Sequence, residues 1–143
     1  MTIKPAMARA LRDARLRMRD VAAADHAIAA ERREQAAASL AAEHDALATF
    51  VEDAAERLAR ASSINDLDRV SILVGAHRDD IASAATRHAE TIALAELTTG
   101  ALRDRTRQLK TAERIVDDVQ RARDDREARG EQRSSDDMSA RQR

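Results

Sequence analysis

Apolar residues recur at every seventh position through the second half of the chain. One row comprises Leu67, Val74, Ile81, His88, Ala95, Leu102, Leu109 and Val116. A second row, three residues further on, comprises Val70, His77, Ala84, Thr91, Thr98, Arg105, Ala112 and Val119. Alternating steps of three and four residues, kept over many turns without proline, predict a long coiled-coil helix. Such a helix has one apolar seam and no interior, so its function must depend on surfaces and ends.

The first half of the chain predicts a second helix, spanning residues 5–60. Pro5 suits the first turn of a helix, where its missing N–H group would be unpaired anyway. Apolar residues then follow with a spacing of three and four, apart from a charged interruption at 31–35. These predicted seam residues are Met7, Leu11, Ala14, Met18, Val21, Ile28, Leu40, Leu47, Val51, Ala54 and Leu58.

Polar residues at 61–66 predict a turn between the two helices. Ser63 and Asn65 are both good N-cap residues, because their side chains can accept a hydrogen bond from a free backbone N–H. Asp66 would lie in the first turn, where the helix dipole favours negative charge.

The second helix is expected to span 67–129 and to be followed by a frayed polar tail at 130–143. Gly75 and Gly100 lie inside it and should weaken it by about 1 kcal/mol each without ending it.

A short turn between two long helices predicts an all-α fold, a single antiparallel coiled-coil hairpin across residues 1–143. Residues that face each other should then have position numbers with a nearly constant sum. The pairs so predicted are Leu58–Val70, Val51–His77, Leu47–Ile81, Leu40–His88, Met18–Leu109 and Leu11–Val116. Asp25 and Arg32 fall opposite Leu102 and Ala95, and Ile28 faces Thr98 near Gly100. These mismatched pairs predict a loosely packed waist at 25–36 and 95–105.

Composition supports this class of protein. The chain is 36% charged and has no cysteine. Because only 1% of it is aromatic, the large side chains of a globular core are missing. No apolar run approaches the roughly 20 residues that cross a bilayer. The N-terminus also lacks the apolar core of a signal peptide, so we expect a cytoplasmic protein.

Charge is distributed unevenly along the predicted hairpin. Residues 1–21 are rich in arginine, whereas 43–96 are rich in aspartate and glutamate. The basic open end and the acidic turn end could bind two different partners, or both could be ordinary solvated helix faces. Nucleic acid is not expected as a partner, because the basic end also contains acids and no aromatic residue for stacking.

The sequence predicts no catalytic, cofactor or metal site and no small-molecule substrate. The histidines never lie four residues apart, so His77 and His88 are interpreted as packing at the edge of the seam. No phosphate-binding loop or nucleophile motif is present. We therefore expect a protein that is not an enzyme.

The C-terminal residues resemble a known family. Glu131, Gln132 and Arg133 form an acid-Gln-basic triplet, and Asp136, Asp137 and Met138 follow it after two residues. This pattern after an arginine-rich helix resembles the central stalk of type III secretion ATPases, a family that includes flagellar FliJ and injectisome proteins of the YscO type. Gly130 and Ser134-Ser135 depart from the pattern, and they are the reason for expecting a frayed tail.

The resemblance implies a stalk that couples a hexameric secretion ATPase to an export gate in the membrane, at the cytoplasmic side of the apparatus. Secretion chaperones are further candidate partners. The residues expected to contact the ATPase are Arg12, Arg15, Arg19, Lys110, Arg114, Arg121, Gln132 and Arg133. Those expected to contact the distal partner are Phe50, Asp53, Ile64 and Asp79.

A generic coiled-coil adaptor or chaperone is the alternative function. It would bind a partner helix at the waist, around Ile28 and Leu102, rather than at the ends.

Overall fold

The computed structural model describes residues 3–60 and 63–141, and within these ranges it contains two long helices and no strand. Helix α1 spans Pro5–Arg60 and helix α2 spans Ile64–Arg141. The two helices pack against each other, which confirms the all-α antiparallel hairpin. No helix of the described chain has a stretch long and apolar enough to cross a membrane.

Helix α2 begins at Ile64, earlier than predicted, because Ser63 caps it. The Asp66 N–H donates to Ser63 Oγ (3.3 Å), and Asp66 Oδ2 accepts from the Ser63 N–H (3.1 Å) and hydroxyl (2.8 Å). This reciprocal pairing is a capping box in which aspartate replaces the usual glutamate. The predicted turn at 61–66 is therefore too long, and Asn65 lies inside the helix; residues 61 and 62 are outside the described residues.

Helix α2 also continues past residue 129, through the segment for which a frayed tail was predicted. Side chains one turn apart support this extension: Arg123 Nε lies 2.6 Å from Glu127, and Gln132 donates to Asp136 at 3.3 Å. A glycine costs only about 1 kcal/mol in a helix, so Gly130 weakens the extension without ending it.

The chain divides into two compact units. The first unit contains Met1–Ala23 and Ala101–Arg143, and the second contains Ala24–Gly100.

The two rows predicted for the second helix are the least exposed residues of α2. From Val70 to Val119, every member of both rows is buried or of intermediate exposure. Leu67 is the exception at 52% exposed, because it lies only one turn from the start of the helix. The sevenfold spacing therefore identified the packed face of α2 correctly.

The seam predicted for the N-terminal part of α1 is wrong by one position. Met7, Val21 and Ile28 are 64%, 62% and 49% exposed. The less exposed residues form a neighbouring pair of rows with the same spacing. One row is Ala8, Arg15, Ala22, Ala29, Ala36, Glu43 and Phe50, and the other is Pro5, Arg12, Arg19, His26, Leu40, Leu47 and Ala54, interrupted by the exposed Arg33. Leu40, Leu47 and Ala54 were also in the predicted seam, which is therefore correct in this part of α1.

Small side chains explain this choice of face. The buried apolar residues of the described chain are, except for one leucine, all alanines: Ala8, Ala22, Ala29, Ala54, Ala84, Ala95, Leu109 and Ala112. The distance between packed helices depends on the side chains at the contact, and alanine permits close approach. Ala29 and Ala95 also correct the expectation of a loose waist, because both lie in the predicted loose zone and are nearly inaccessible.

Replacement of Gly100 by alanine should stabilise the protein. Gly100 lies inside α2 without a positive φ angle, and an added Cβ would meet nothing within 4 Å. We expect Gly100→Ala to raise the free energy of unfolding by about 1 kcal/mol in urea denaturation followed by circular dichroism. Gly130→Ala is the control: it lies where α2 is fully exposed, so it should raise helix content with little change in the unfolding midpoint.

Candidate interaction surfaces

The arginines predicted to contact an ATPase from α1 face α2 in the first unit. Arg12, Arg15 and Arg19 occupy the inner rows of α1 and are of intermediate exposure. Arg12 Nη2 lies 2.7 Å from Asp13, and Arg19 Nη2 lies 2.8 Å from Asp20. Their charges are therefore already paired locally, which reduces what they could offer to a partner.

Arg15 takes part in a polar contact between the helices. Its Nη1 donates to Gln108 Oε1 at 2.7 Å, and the same oxygen accepts from Arg105 Nη1 at 3.1 Å. The sulfur of Met18 lies 4.0 Å from both guanidinium groups. Met18 thus contacts Arg105, although the sequence predicted that it would face Leu109.

The other residues predicted to contact the ATPase are accessible on α2. Lys110, Arg114, Arg121, Gln132 and Arg133 are all exposed. Arg121 forms only a long ion pair with Asp118 (3.8 Å), in which both side chains are largely exposed. Exposed pairs of this kind contribute little and can exchange for another partner.

An open groove lies beside the start of α1 in the first unit. Its volume is about 670 Å³, and it has an apolar floor with charged residues around it. The residues that line it are Ile3, Lys4, Pro5, Ile115, Asp118, Val119, Ala122, Arg123 and Arg126.

Phe50 is of intermediate exposure in the second unit, where it lines a groove of about 360 Å³ together with Asp53. Its ring lies 5.2 Å from the ring of His77, with the planes tilted by 41°. His77 therefore contacts Phe50 rather than Val51, which is 47% exposed. Of the other predicted distal residues, Asp53 and Asp79 are exposed and Ile64 is 78% exposed.

His26 bonds to α2 through two threonines in the second unit. His26 Nδ1 lies 3.4 Å from both Thr98 Oγ1 and Thr99 Oγ1. Each threonine hydroxyl also donates to the Ala95 carbonyl, at 3.0 Å and 2.8 Å.

A shallow groove of about 360 Å³ lies near His26. It is lined by Asp25, Ile28, Ala29, Arg32, Leu94 and Thr98. Ile28 is thus exposed where the adaptor hypothesis placed a partner helix. Leu102, the other residue of that hypothesis, is of intermediate exposure and belongs to the first unit.

One cluster of metal-ligating side chains escaped the sequence analysis. Glu43, His77 and Asp80 each offer a ligand atom, and these atoms lie within 4.8 Å of one another. A search for neighbouring histidines could not find it, because one ligand comes from the other helix. The sequence did contain one indication of this cluster: Glu43 is an acidic residue on a row of α1 in which most residues are alanines.

Apolar residues also form an exposed stripe on α1 in the first unit. Met7, Leu11, Met18 and Val21 are 64%, 37%, 40% and 62% exposed, and they keep the spacing of a coiled-coil seam. We call these four residues the outer stripe.

No protein-family model matches this chain, and no curated protein or solved structure matches it either.

The Ser63 cap should be visible in the titration of Asp66. Hydrogen bonds from the Ser63 side chain and backbone hold the pKa of Asp66 below its ordinary value of 3.8. A depressed pKa in the folded state means that the stabilisation is present at neutral pH and is lost as the pH falls through that pKa. Ser63→Ala should therefore raise the pKa of Asp66 in an NMR titration and reduce stability at neutral pH more than in acid.

Ser71→Ala is the matched control, because Ser71 is an exposed serine of the same helix. An equal shift of the Asp66 pKa in both variants would contradict the assignment of Ser63 as the cap.

Proposed function

We propose that this protein is a central stalk of a type III secretion export ATPase, which couples the ATPase hexamer to a membrane export gate. The proposal rests on the family resemblance of the C-terminal residues. The observation that carries it is that these residues lie on one continuous, exposed helix.

Every described residue from 121 onward is exposed, and all of them belong to α2. The matched residues therefore lie on a helical surface that a partner can reach from any side. Gln132 and Asp136 are joined by a hydrogen bond, and Met138 is 64% exposed. An exposed methionine among charged residues is suited to docking, since its flexible side chain adapts to a partner surface. Gly130 departs from the family pattern, but α2 continues through it to Arg141.

The charges around this extension favour contact through α2 rather than α1. Lys110, Arg114 and Arg121 are exposed, whereas Arg12, Arg15 and Arg19 lie on the face of α1 that packs against α2. The same stretch of α2 also carries acidic residues, among them Glu113, Asp117 and Asp118. An ATPase surface that binds here would therefore need both acidic and basic groups, because complementary charge steers and orients association. In the second unit, Asp53, Ile64 and Asp79 are exposed and Phe50 is of intermediate exposure, so a distal partner can reach them.

The mechanism would be mechanical and allosteric. A stalk that binds one state of the hexamer more tightly than another shifts the population of states by that difference in affinity. By linkage, the nucleotide state of the ATPase would also change its affinity for the stalk.

Charge reversal at Arg133 tests the proposal. Arg133→Glu replaces an exposed charge of the matched triplet, so we expect weaker binding to a hexameric secretion ATPase by about tenfold, at a coupling of roughly 1.4 kcal/mol. Stimulation of ATP hydrolysis should fall in parallel, while helix content stays unchanged. Arg12 and Arg15 are poorer choices, since their replacement would also disturb contacts within the hairpin.

Arg103→Glu is the control, because Arg103 is an exposed arginine of α2 outside the matched residues. The stalk proposal fails if both variants bind and stimulate the ATPase as the unaltered protein does.

The outer stripe favours a second candidate function, that of a helix-binding adaptor. Met7 and Val21 are among the most exposed large apolar residues of α1, and their spacing suits an amphipathic helix of a chaperone or other partner. Binding there would not require the C-terminal extension.

Val21→Lys separates the two functions. If the adaptor function is correct, Val21→Lys abolishes binding of the partner helix, whereas Arg133→Glu leaves that binding unchanged. If the stalk function is correct, Arg133→Glu reduces stimulation of the ATPase, whereas Val21→Lys leaves that stimulation unchanged. Leu16→Lys is the matched control, since Leu16 is 38% exposed but lies off the stripe.

A further inference from the structure

We propose that Glu43, His77 and Asp80 bind a divalent transition-metal ion of the Zn²⁺ class, which joins α1 to α2 in the second unit. The site is independent of the proposed function. It is inferred from three potential ligand atoms that lie within 4.8 Å of one another.

The two helices bring these ligands together in a simple way. His77 and Asp80 are three residues apart on α2, so their side chains lie on the same face. Glu43 comes from the inner row of α1. Ligand atoms around a tetrahedral zinc ion are roughly 3.3 Å apart, given metal–ligand distances near 2.0–2.1 Å. Side-chain rotation must therefore bring the three ligands together when an ion binds.

His77 supplies a second, independent observation. Its Nδ1 atom is buried and has no hydrogen-bond partner, although its ring packs against Phe50. A buried nitrogen without a partner costs about 1–3 kcal/mol. An imidazole that is held in place by packing and lacks a partner is well prepared to bind a metal ion.

Glu43 is unusual for the same reason. It is of intermediate exposure on a row that, apart from Arg15, packs alanine and phenylalanine, and no hydrogen bond or ion pair of the described side chains involves it. A partly buried carboxylate is costly without a counter-charge. Two carboxylates and one neutral imidazole leave a local excess of negative charge, which a divalent cation would neutralise.

The ligand chemistry selects the class of metal. One imidazole nitrogen with two carboxylate oxygens suits Zn²⁺, Co²⁺ or Ni²⁺. Mg²⁺ prefers oxygen ligands alone and keeps several of its waters, so it should bind poorly here. Three protein ligands also leave at least one coordination position for water.

Binding of the ion should stabilise the hairpin. Glu43 and His77 are distant in sequence, so the complete site exists only when α1 and α2 are packed. An ion that binds the folded state alone raises its stability in proportion to the logarithm of ion concentration over the dissociation constant.

Calorimetric titration and thermal unfolding of the untagged protein with ZnCl₂ test the proposal. We expect one ion per chain and a rise in melting temperature with Zn²⁺, but none with MgCl₂ at the same concentration. Glu43→Gln and Asp80→Asn remove a ligand charge while keeping side-chain size, and each should lower Zn²⁺ affinity by about tenfold or more. Both should melt no lower than the unaltered protein when metal is absent.

His44→Ala is the matched control, because His44 is an exposed histidine beside Glu43 that is outside the cluster. It should bind Zn²⁺ as the unaltered protein does. NMR of the unaltered protein gives a second measurement that needs no variant: Zn²⁺ should shift the ring signals of His77 but not those of His88. The proposal is overturned if Zn²⁺ does not raise the melting temperature, if Glu43→Gln retains the rise, or if His77 does not respond.

Discussion

Close packing along a narrow seam of small residues is the constraint on which this structure depends. Each helix has only the other against which to bury apolar surface, and the buried positions of the described chain are almost all alanine. Alanine contributes little apolar area, but it lets two helices approach closely and costs no side-chain entropy. In the N-terminal half of α1, the packed face therefore favours close approach over hydrophobicity, and Met7, Val21 and Ile28 are left outside. Further along the helix, Leu40, Leu47 and Phe50 do lie on the packed face.

That choice places polar groups between the helices. Arg15 bonds to Gln108, and His26 bonds to Thr98 and Thr99. These contacts contribute to specificity more than to stability, because each polar group at the seam finds its partner in only one register. Glu43 and His77 lie at the same kind of position without such a partner, which is why they point to an ion. The apolar residues left outside, such as Val21, are available to another protein.

The sequence predicted the two-helix plan and the packed face of α2, because a sevenfold apolar repeat has one physical explanation. It correctly placed Leu40, Leu47 and Ala54 on the packed face of α1. It did not predict the N-terminal part of that face, since Ala22 and Ala29 are equally at home on a surface, while Val21 and Ile28 looked like core residues. Arg15 was expected to contact an ATPase, whereas it bonds to Gln108 of α2. The continuation through Gly130 was missed because one glycine weighs less than the helix-favouring residues around it. The cluster of Glu43, His77 and Asp80 depends on the register between the helices, and the register predicted from apolar pairs placed His77 opposite Val51.

The packed face of α1 can be tested directly, because the chain contains no cysteine and single thiols can be introduced one at a time. The measurement is the rate at which a thiol reagent labels Ala22→Cys and Ala29→Cys, compared with Val21→Cys and Ile28→Cys. A seam of small residues predicts slow labelling at positions 22 and 29 and fast labelling at 21 and 28. Fast labelling at 22 and 29 with protection at 21 and 28 would contradict it and would restore the seam expected from hydrophobicity alone.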